Sequence, residues 1–255
     1  MSETNKIEID GGAFIKTVHK KPKKDTNEEM ARKLVVMIHG FPGDIESHNN
    51  LYGDLEFILN DKGFHTLRFD FLCCGGSAGN SKDFTLTTAK QTLDVIKAWA
   101  KDHHYEEFIF VSDGFGSIIA LLNMEINVTC QILLWPGLTP QYLAKHVFKI
   151  DEISETDRKF GYITHGDYHV GIQFIDQLNK VNLGNYFRDI TMPVLVMHGS
   201  ADEIFPIDHL NILRQKATSK RIEITTFHDA SHGLPELSHR KSMFFHITQF
   251  LEKFA

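Results

Sequence analysis

Short apolar runs alternate with helix-like patterns along most of the chain. Residues 33–38 are apolar at nearly every position, which is typical of a strand buried on both faces of a sheet. The residue types and their period predict further strands at 6–10, 13–20, 65–70, 107–111, 131–135, 193–198 and 222–227. Helical periodicity predicts helices at 49–61, 85–101, 115–124 and 238–254.

Repeated strand–helix units with short links predict an α/β protein with a mostly parallel sheet covered by helices on both faces. The first two strands, separated by Gly11-Gly12, form a hairpin in this scheme. The alternation stops between residues 138 and 190, where the sequence is mixed, aromatic and polar. We therefore expect a core formed by 1–137 and 191–255, with 138–190 inserted as small helices that form a lid.

Composition narrows the class of protein. The chain has 255 residues, 42% of them hydrophobic, which is enough for one sizeable core. A formal net charge of −6 argues against a nucleic-acid-binding face. No apolar run approaches the about 18 residues of a membrane span, and residues 1–8 lack the apolar core of a signal peptide. With only three cysteines, the chain is expected to be cytoplasmic.

Three segments that each follow a predicted strand carry candidate chemistry. They read IHGFPG at 38–43, HGSADEIFP at 198–206 and FHDASHG at 227–233. In this order they resemble the oxyanion turn, the acid turn and the histidine loop of the α/β-hydrolase superfamily. The resemblance covers nearly the whole chain. It is closest to small bacterial carboxylesterases of the cinnamoyl-esterase and monoglyceride-lipase kind, which carry a short helical lid in the same place.

The resemblance assigns roles to individual residues. Asp202 matches the triad acid and His232 the triad histidine. The backbone N–H groups of Phe41 and Phe115 match the two donors of the oxyanion hole.

The predicted insertion and the strand before it supply aromatic residues for an acyl or aromatic pocket. The candidates for substrate binding are Trp135, Tyr162 and Tyr168.

The nucleophile turn departs from the family pattern. The pattern is G-x-S-x-G, and residues 112–116 read SDGFG, which puts Gly114 at the nucleophile position. If Asp113 were the nucleophile, Phe115 would stand where a glycine is needed for close helix packing. If Ser112 were, Phe110 would take a glycine position. Both alternatives fit worse than the register with Gly114.

Other chemistry finds less support. Cys73 replaces a glycine in the loop after residue 70, and a thiol nucleophile there would need a nearby base and a lowered pKa. The fifteen histidines show no helical metal-binding pair, so no metal is expected. No glycine-rich phosphate loop indicates a cofactor.

Three hypotheses about function stay open at this stage. The first is an esterase-type acyl hydrolase that acts weakly, or through water, on small ester or acyl substrates. The second is a non-catalytic relative that binds a small apolar ligand or a protein partner. The third is an active esterase whose serine at position 114 was replaced by glycine. The retained Asp202 and His232 favour an enzyme, and Gly114 favours a binding role. The sequence does not fix the oligomeric state.

Overall fold

A computed structural model describes residues 4–9, 11–23, 27–124, 127–219 and 221–255. Within them, eight strands form one sheet and two more form a separate hairpin. The strands of the large sheet are β1 Thr4–Ile9, β2 Ala13–Lys20, β3 Lys33–Ile38, β4 His65–Phe69, β5 Glu107–Asp113, β6 Val128–Leu134, β9 Val194–Gly199 and β10 Ile222–Phe227; the hairpin is β7 Tyr162–His165 and β8 Tyr168–Gly171. Asp10, the predicted end of the first strand, lies outside the described residues, as do residues 1–3 of the segment considered for a signal peptide.

The order across the large sheet is β1-β2-β4-β3-β5-β6-β9-β10. Pairing is antiparallel at β1–β2 and β2–β4 and parallel everywhere else. The prediction of a mostly parallel sheet preceded by a hairpin is therefore confirmed. The carboxyl ends of β3, β5, β9 and β10 lie along the same edge, where open α/β sheets bind ligands.

Helices cover both faces of this sheet. In chain order they are α1 Glu28–Ala31, α2 Leu51–Asp61, α3 Leu86–Asp102, α4 Gly116–Leu122, α5 Pro140–Tyr142, α6 Glu155–Phe160, α7 Ile172–Lys180, α8 Leu210–Lys216 and α9 Leu237–Phe254. Alternate residues of β3 face two different hydrophobic cores, one on each side of the sheet. Leu34 and Val36 join the core under α3 and α4, while Val35 and Met37 join the core under α2 and α9.

The insertion differs in part from its prediction. Residues 138–190 contain α5, α6 and α7, but also the β7–β8 hairpin, so small helices alone do not describe this segment. Its function as a lid stays a prediction. Sequence periodicity also missed α8, whose seven residues bury only Leu210 and Leu213 and are too short for a clear helical period. None of the described helices is both long and apolar enough to cross a bilayer.

A cluster of aromatic and imidazole groups beside the paired strands β2 and β4 predicts a pH-dependent stability. The Tyr105 hydroxyl lies 2.9 Å from Nε2 of His19 and 2.7 Å from Nδ1 of His65. Burial, and then the charges of His65, Lys21 and His103, lower the pKa of His19 from 6.5 to about 4. Between these values the unfolded chain binds the proton that the folded chain excludes. This contribution to stability is complete above the unfolded pKa and is lost as the pH falls from 6.5 towards 4.

We therefore expect His19→Gln to flatten the fall of unfolding free energy over this pH range. Because the His19 ring is not fully buried, solvent screening reduces the expected difference to about 1–2 kcal/mol. Urea unfolding at pH 7 and at pH 4.5 measures it. His228→Gln is the matched control, since that side chain is 90% exposed. Equal pH slopes for His19→Gln and the natural chain would contradict the expectation.

Candidate active site

Gly114 forms the sharp turn between β5 and α4. Its φ of +46° lies in the left-handed region, which glycine enters without steric cost. Two residues later, Gly116 starts α4 against the end of β3, and a Cβ built on it would lie 2.3 Å from the Ile38 carbonyl oxygen. Only glycine fits there. This is the close helix–strand approach that the second glycine of the nucleophile turn provides in the α/β-hydrolase pattern.

The hydroxyl and carboxylate groups near this turn have hydrogen-bond partners of their own. The Ser112 and Ser117 hydroxyls are fully buried and lie 3.2 Å apart, so they bond to each other beneath the turn. The Asp113 carboxylate accepts a hydrogen bond from the Ser47 hydroxyl. Asp113, Gly114 and Phe115 all border the cavity described below.

The loops after β9 and β10 bring Asp202 and His232 together. The Asp202 Oδ2 to His232 Nδ1 distance is 2.9 Å, and Asp202 Oδ1 accepts the backbone N–H groups of Ile204 and Phe205, each at 2.9 Å. Burial acts to raise the pKa of Asp202, but the hydrogen bond and the charge of His232 outweigh it and hold that pKa below its ordinary value. An ionised carboxylate therefore fixes the His232 ring.

Close backbone packing holds these two loops in place. A Cβ on Gly199 would lie 2.2 Å from the Ala230 carbonyl oxygen, so glycine is required at the end of β9. That carbonyl accepts the backbone N–H of Ala201 at 3.0 Å, and the Ser200 hydroxyl accepts the N–H of Asp229 at 2.8 Å. The Asp202–His232 pair is thus carried by a rigid double loop.

His232 and Gly114 line the same cavity, which has a volume of about 180 Å³. The His232 ring lies 5.5 Å from the Phe205 ring and 5.9 Å from the Trp135 ring, measured between centroids. A Cβ on Gly114 would contact those same two rings, at 3.4 Å from Phe205 and 3.8 Å from Trp135. The imidazole therefore stands beside the position that a side chain at 114 would occupy. The apolar wall is formed by Phe115, Leu143, Val147, Phe148, Ile204 and Phe205.

Phe41 and Phe115, the predicted oxyanion donors, border this cavity from two sides. Phe41 follows β3 and stacks its ring on Phe84 at 4.2 Å, while Phe115 precedes α4. Within the described part of the chain, neither backbone N–H group donates a hydrogen bond to another residue. Their contribution to an oxyanion hole stays a prediction.

The three predicted substrate-binding residues are not all at this site. Trp135 lies under Gly114 and beside His232, as described above. Tyr162 packs on His169, with ring centroids 4.4 Å apart, and Tyr168 borders a second cavity of about 370 Å³. Neither tyrosine borders the cavity of His232, although His165 of the same β7–β8 hairpin does. Periodicity in the insertion did not indicate this hairpin.

Cys73 and Cys74 also border the second cavity. Burial and then the charge of Asp83 raise the pKa of Cys73, and burial raises that of Cys74 further. A thiol with a raised pKa is a poor nucleophile, so the geometry does not support a catalytic cysteine. Across the residues that the structure describes, no cluster of three or more His, Cys, Asp or Glu side chains is placed to hold a metal ion.

Sequence reasoning did not assign His165, Asp113 or His48 to the cavity that they border together with Gly114 and His232. Of these, His48 has its ring centroid 5.2 Å from that of His232. It belongs to the loop between β3 and α2 and to none of the three motifs. Its proximity to His232 depends on the tertiary fold, so no local pattern could have indicated it.

Comparison with known proteins gives the chain a family. A model of the acyl transferase family matches residues 3–136, a little over half of the sequence. The chain belongs to the acyl transferase family. An acyl transferase of Aliivibrio fischeri strain MJ11 is 27% identical over 115 residues, which cover 45% of this chain and 36% of that protein. The matched segment thus spans only about a third of that relative. An acyl transferase of Shewanella woodyi is 21% identical over 240 residues, covering 90% of this chain and 77% of that one.

Solved structures of similar shape confirm the α/β-hydrolase fold and the resemblance to bacterial esterases. Est1E from Butyrivibrio proteoclasticus, in a structure with ferulic acid bound, has a TM-score of 0.82 at 20% identity and covers 98% of both chains. The esterase EaEST from Exiguobacterium antarcticum has a TM-score of 0.71 at 18% identity, covering 98% of this chain and all of that one. At these identities the likeness establishes the fold.

Proposed function

We propose that this member of the acyl transferase family hydrolyses acyl esters, with water in the role that a serine hydroxyl has in related hydrolases. The observation that carries the proposal is His232, held by Asp202 at 2.9 Å, in a cavity that His232 shares with Gly114. A histidine held by an ionised carboxylate is a proton acceptor of fixed orientation. Beside a glycine, the proton donor within its reach is solvent.

The reaction then follows from the placement of these groups. The acyl carbonyl lies over Gly114, with its oxygen directed to the N–H groups of Phe41 and Phe115. His232 accepts one proton from water as the water oxygen bonds to the acyl carbon. The tetrahedral intermediate collapses by breaking the bond to the leaving group, which receives that proton from His232. No covalent acyl-enzyme forms. Binding and the oxyanion donors alone leave about 10³-fold catalysis over water when a triad residue is missing, so the expected activity is modest.

The cavity limits the acyl group to a compact one. A cavity of about 150 Å³ holds one benzene molecule, and the cavity at Gly114 measures about 180 Å³ with a largely apolar wall. A short aliphatic acyl group or a single aromatic ring fits this space. Est1E, of the same fold, has been solved with ferulic acid, which carries an aromatic ring. The partner of the chain is accordingly a small acyl ester.

A second candidate function rests on Gly114 itself. Without a side-chain nucleophile, the same cavity would serve to bind a compact apolar ligand without turnover. The two functions differ in whether product forms.

Hydrolysis of p-nitrophenyl esters by the natural chain tests the proposal. We expect release of p-nitrophenol above the buffer rate with butanoate, and a kcat/KM for dodecanoate at least about tenfold lower because the long chain does not fit. Val147→Phe fills the cavity from a half-buried position and should lower butanoate hydrolysis. Val95→Phe is its matched control, since Val95 is half-buried on α3, away from the cavity.

The outcomes separate the candidates. Rates equal to buffer with every ester would overturn hydrolysis and leave the binding function. Equal values of kcat/KM for butanoate and dodecanoate would overturn the compact acyl group.

A further inference from the structure

His48 faces the same space as His232 from the opposite loop. The two imidazole rings meet edge to face, with centroids 5.2 Å apart and planes at 86°. The His48 ring also lies 5.8 Å from Trp135, which underlies Gly114. Three imidazoles border the cavity, those of His48, His165 and His232, and of these the rings of His48 and His232 face each other.

The backbone around His48 is strained in a way that fixes this side chain. Ser47, Asn49 and Asn50 have φ values of 55°, 51° and 57°, all in the left-handed region. Asparagine adopts this region more readily than other non-glycine residues, so the main strain falls on Ser47, at about 1–3 kcal/mol, and such strain collects at functional sites. All three residues flank His48.

Contacts from four other elements hold the strained loop. The Ile45 N–H donates to Asp70 Oδ1 at 2.5 Å, and Glu46 forms an ion pair with the buried Arg68. The Asn49 carbonyl accepts a hydrogen bond from Arg240 at 2.8 Å. The histidine loop also makes room for this ring, because a Cβ on Gly233 would lie 3.1 Å from Cγ of His48. These contacts fix the loop that carries His48.

The charge around His48 suits a proton acceptor. Burial lowers the pKa of His48; the Asp113 carboxylate acts in the opposite direction, and His232 lowers it further. The net direction is downward, which keeps the ring neutral near pH 7. Asp113 and His48 also border a small adjoining cavity of about 150 Å³, together with Ser47. The Asp113 carboxylate can therefore stabilise the imidazolium that forms when His48 gains a proton.

Water as a nucleophile carries two protons, whereas a serine hydroxyl carries one. His232 accounts for the first proton, which passes on to the leaving group. The second proton stays on the attacking oxygen and must be lost before the product leaves as a carboxylate. The serine hydroxyl has no second proton during acylation, so a second acceptor can act only in a step in which water attacks.

We propose that His48 is a second catalytic histidine, which accepts a hydrogen bond from the attacking water and takes its second proton as the tetrahedral intermediate collapses. The ester and one water then give a carboxylate, an alcohol and one proton, and that proton leaves His48 for solvent. This inference rests on the proposed function and extends it to a residue outside the three motifs.

The test compares one substitution in two backgrounds. His48→Phe keeps a planar ring between Trp135 and Gly233 but removes the acceptor. In the natural chain we expect kcat for p-nitrophenyl butanoate to fall by about 10–100-fold, with KM changed by less than about twofold. In Gly114→Ser, the serine gives its one proton to His232, so the rate of the acylation burst should change by less than about threefold after His48→Phe.

A second variant and a chemical-rescue experiment distinguish loss of the imidazole from loss of the fold. His48→Gln is the alternative where the phenylalanine variant fails to fold, and free imidazole should restore part of kcat in His48→Ala, which a purely structural role would not allow. An unchanged kcat in His48→Phe, an equal loss of the burst in Gly114→Ser, or no rescue by imidazole would overturn the role of His48. If the natural chain shows no hydrolysis, or keeps its hydrolysis in His232→Ala, the proposed function itself fails, and the role of His48 fails with it.

Discussion

Replacing Gly114 with serine is expected to raise hydrolysis of p-nitrophenyl butanoate by about 10³-fold, because it would complete the triad that we propose with Asp202 and His232. The space for a side chain exists, since a Cβ at 114 makes only ordinary contacts with Phe205 and Trp135, at 3.4 and 3.8 Å. The new hydroxyl would stand beside His232, and the oxyanion donors would stabilise the intermediate. Pre-steady-state kinetics should show a burst of p-nitrophenol equal to the enzyme concentration.

The cost of this change is backbone strain. A serine with a φ near +46° should lower the free energy of unfolding by about 1 kcal/mol. Gly161→Ser is the matched control, because Gly161 has a φ of +81°, no heavy atom within 4 Å of a built Cβ, and a position outside the cavity. It should show the strain without the gain in rate. A folded Gly114→Ser protein with neither a burst nor a faster rate would contradict the assignment of this turn.

Removing the imidazole of His232 is expected to slow hydrolysis strongly in both backgrounds. General-base catalysis contributes about 10²–10⁴-fold, so His232→Ala should lower the rate of the natural chain by at least about 10²-fold, to the level that binding and the oxyanion donors alone support. In Gly114→Ser the same change should eliminate the burst. Initial rates at pH 7.5 on protein of confirmed fold measure both effects.

His228→Ala is the control for this substitution. It removes a histidine from the same loop, four residues earlier, whose side chain is 90% exposed and lies outside the cavity. Its rate should equal that of the natural chain. A rate for His232→Ala equal to that of His228→Ala would show that the measured hydrolysis does not use the Asp202–His232 pair.

The sequence was sufficient for the main architecture because the strongest signals are local. The buried strands and the long α3 follow from runs of apolar residues and from helical periodicity, which survive in any tertiary context. The predicted proximity of Asp202 and His232 came from the resemblance to a known fold, and the 2.9 Å contact matches it. The turn at Gly114 was predictable because Gly116 is a steric requirement, with a built Cβ only 2.3 Å from a carbonyl oxygen.

The parts that sequence did not predict depend on long-range placement. His48 lies among Ser47, Asn49 and Asn50, residue types that indicate a turn, but composition does not show where that turn places the imidazole. Tyr162 and Tyr168 were assigned to the pocket from residue type alone. The hairpin that contains them has strands of only four residues. Short elements of this kind form where the surrounding fold supports them, and their own periodicity is too weak to indicate them.

Intact-protein mass spectrometry during turnover shows whether water beside His232, and no side chain, attacks the acyl carbon. The reaction of the natural chain with p-nitrophenyl butanoate is quenched with acid at steady state. The Gly114→Ser protein is the positive control for a trapped acyl group. We expect an unchanged mass for the natural chain while product accumulates, and an added butanoyl group on the Gly114→Ser protein. A butanoyl adduct on the turning-over natural chain, on Cys73 or on any other side chain, would contradict it.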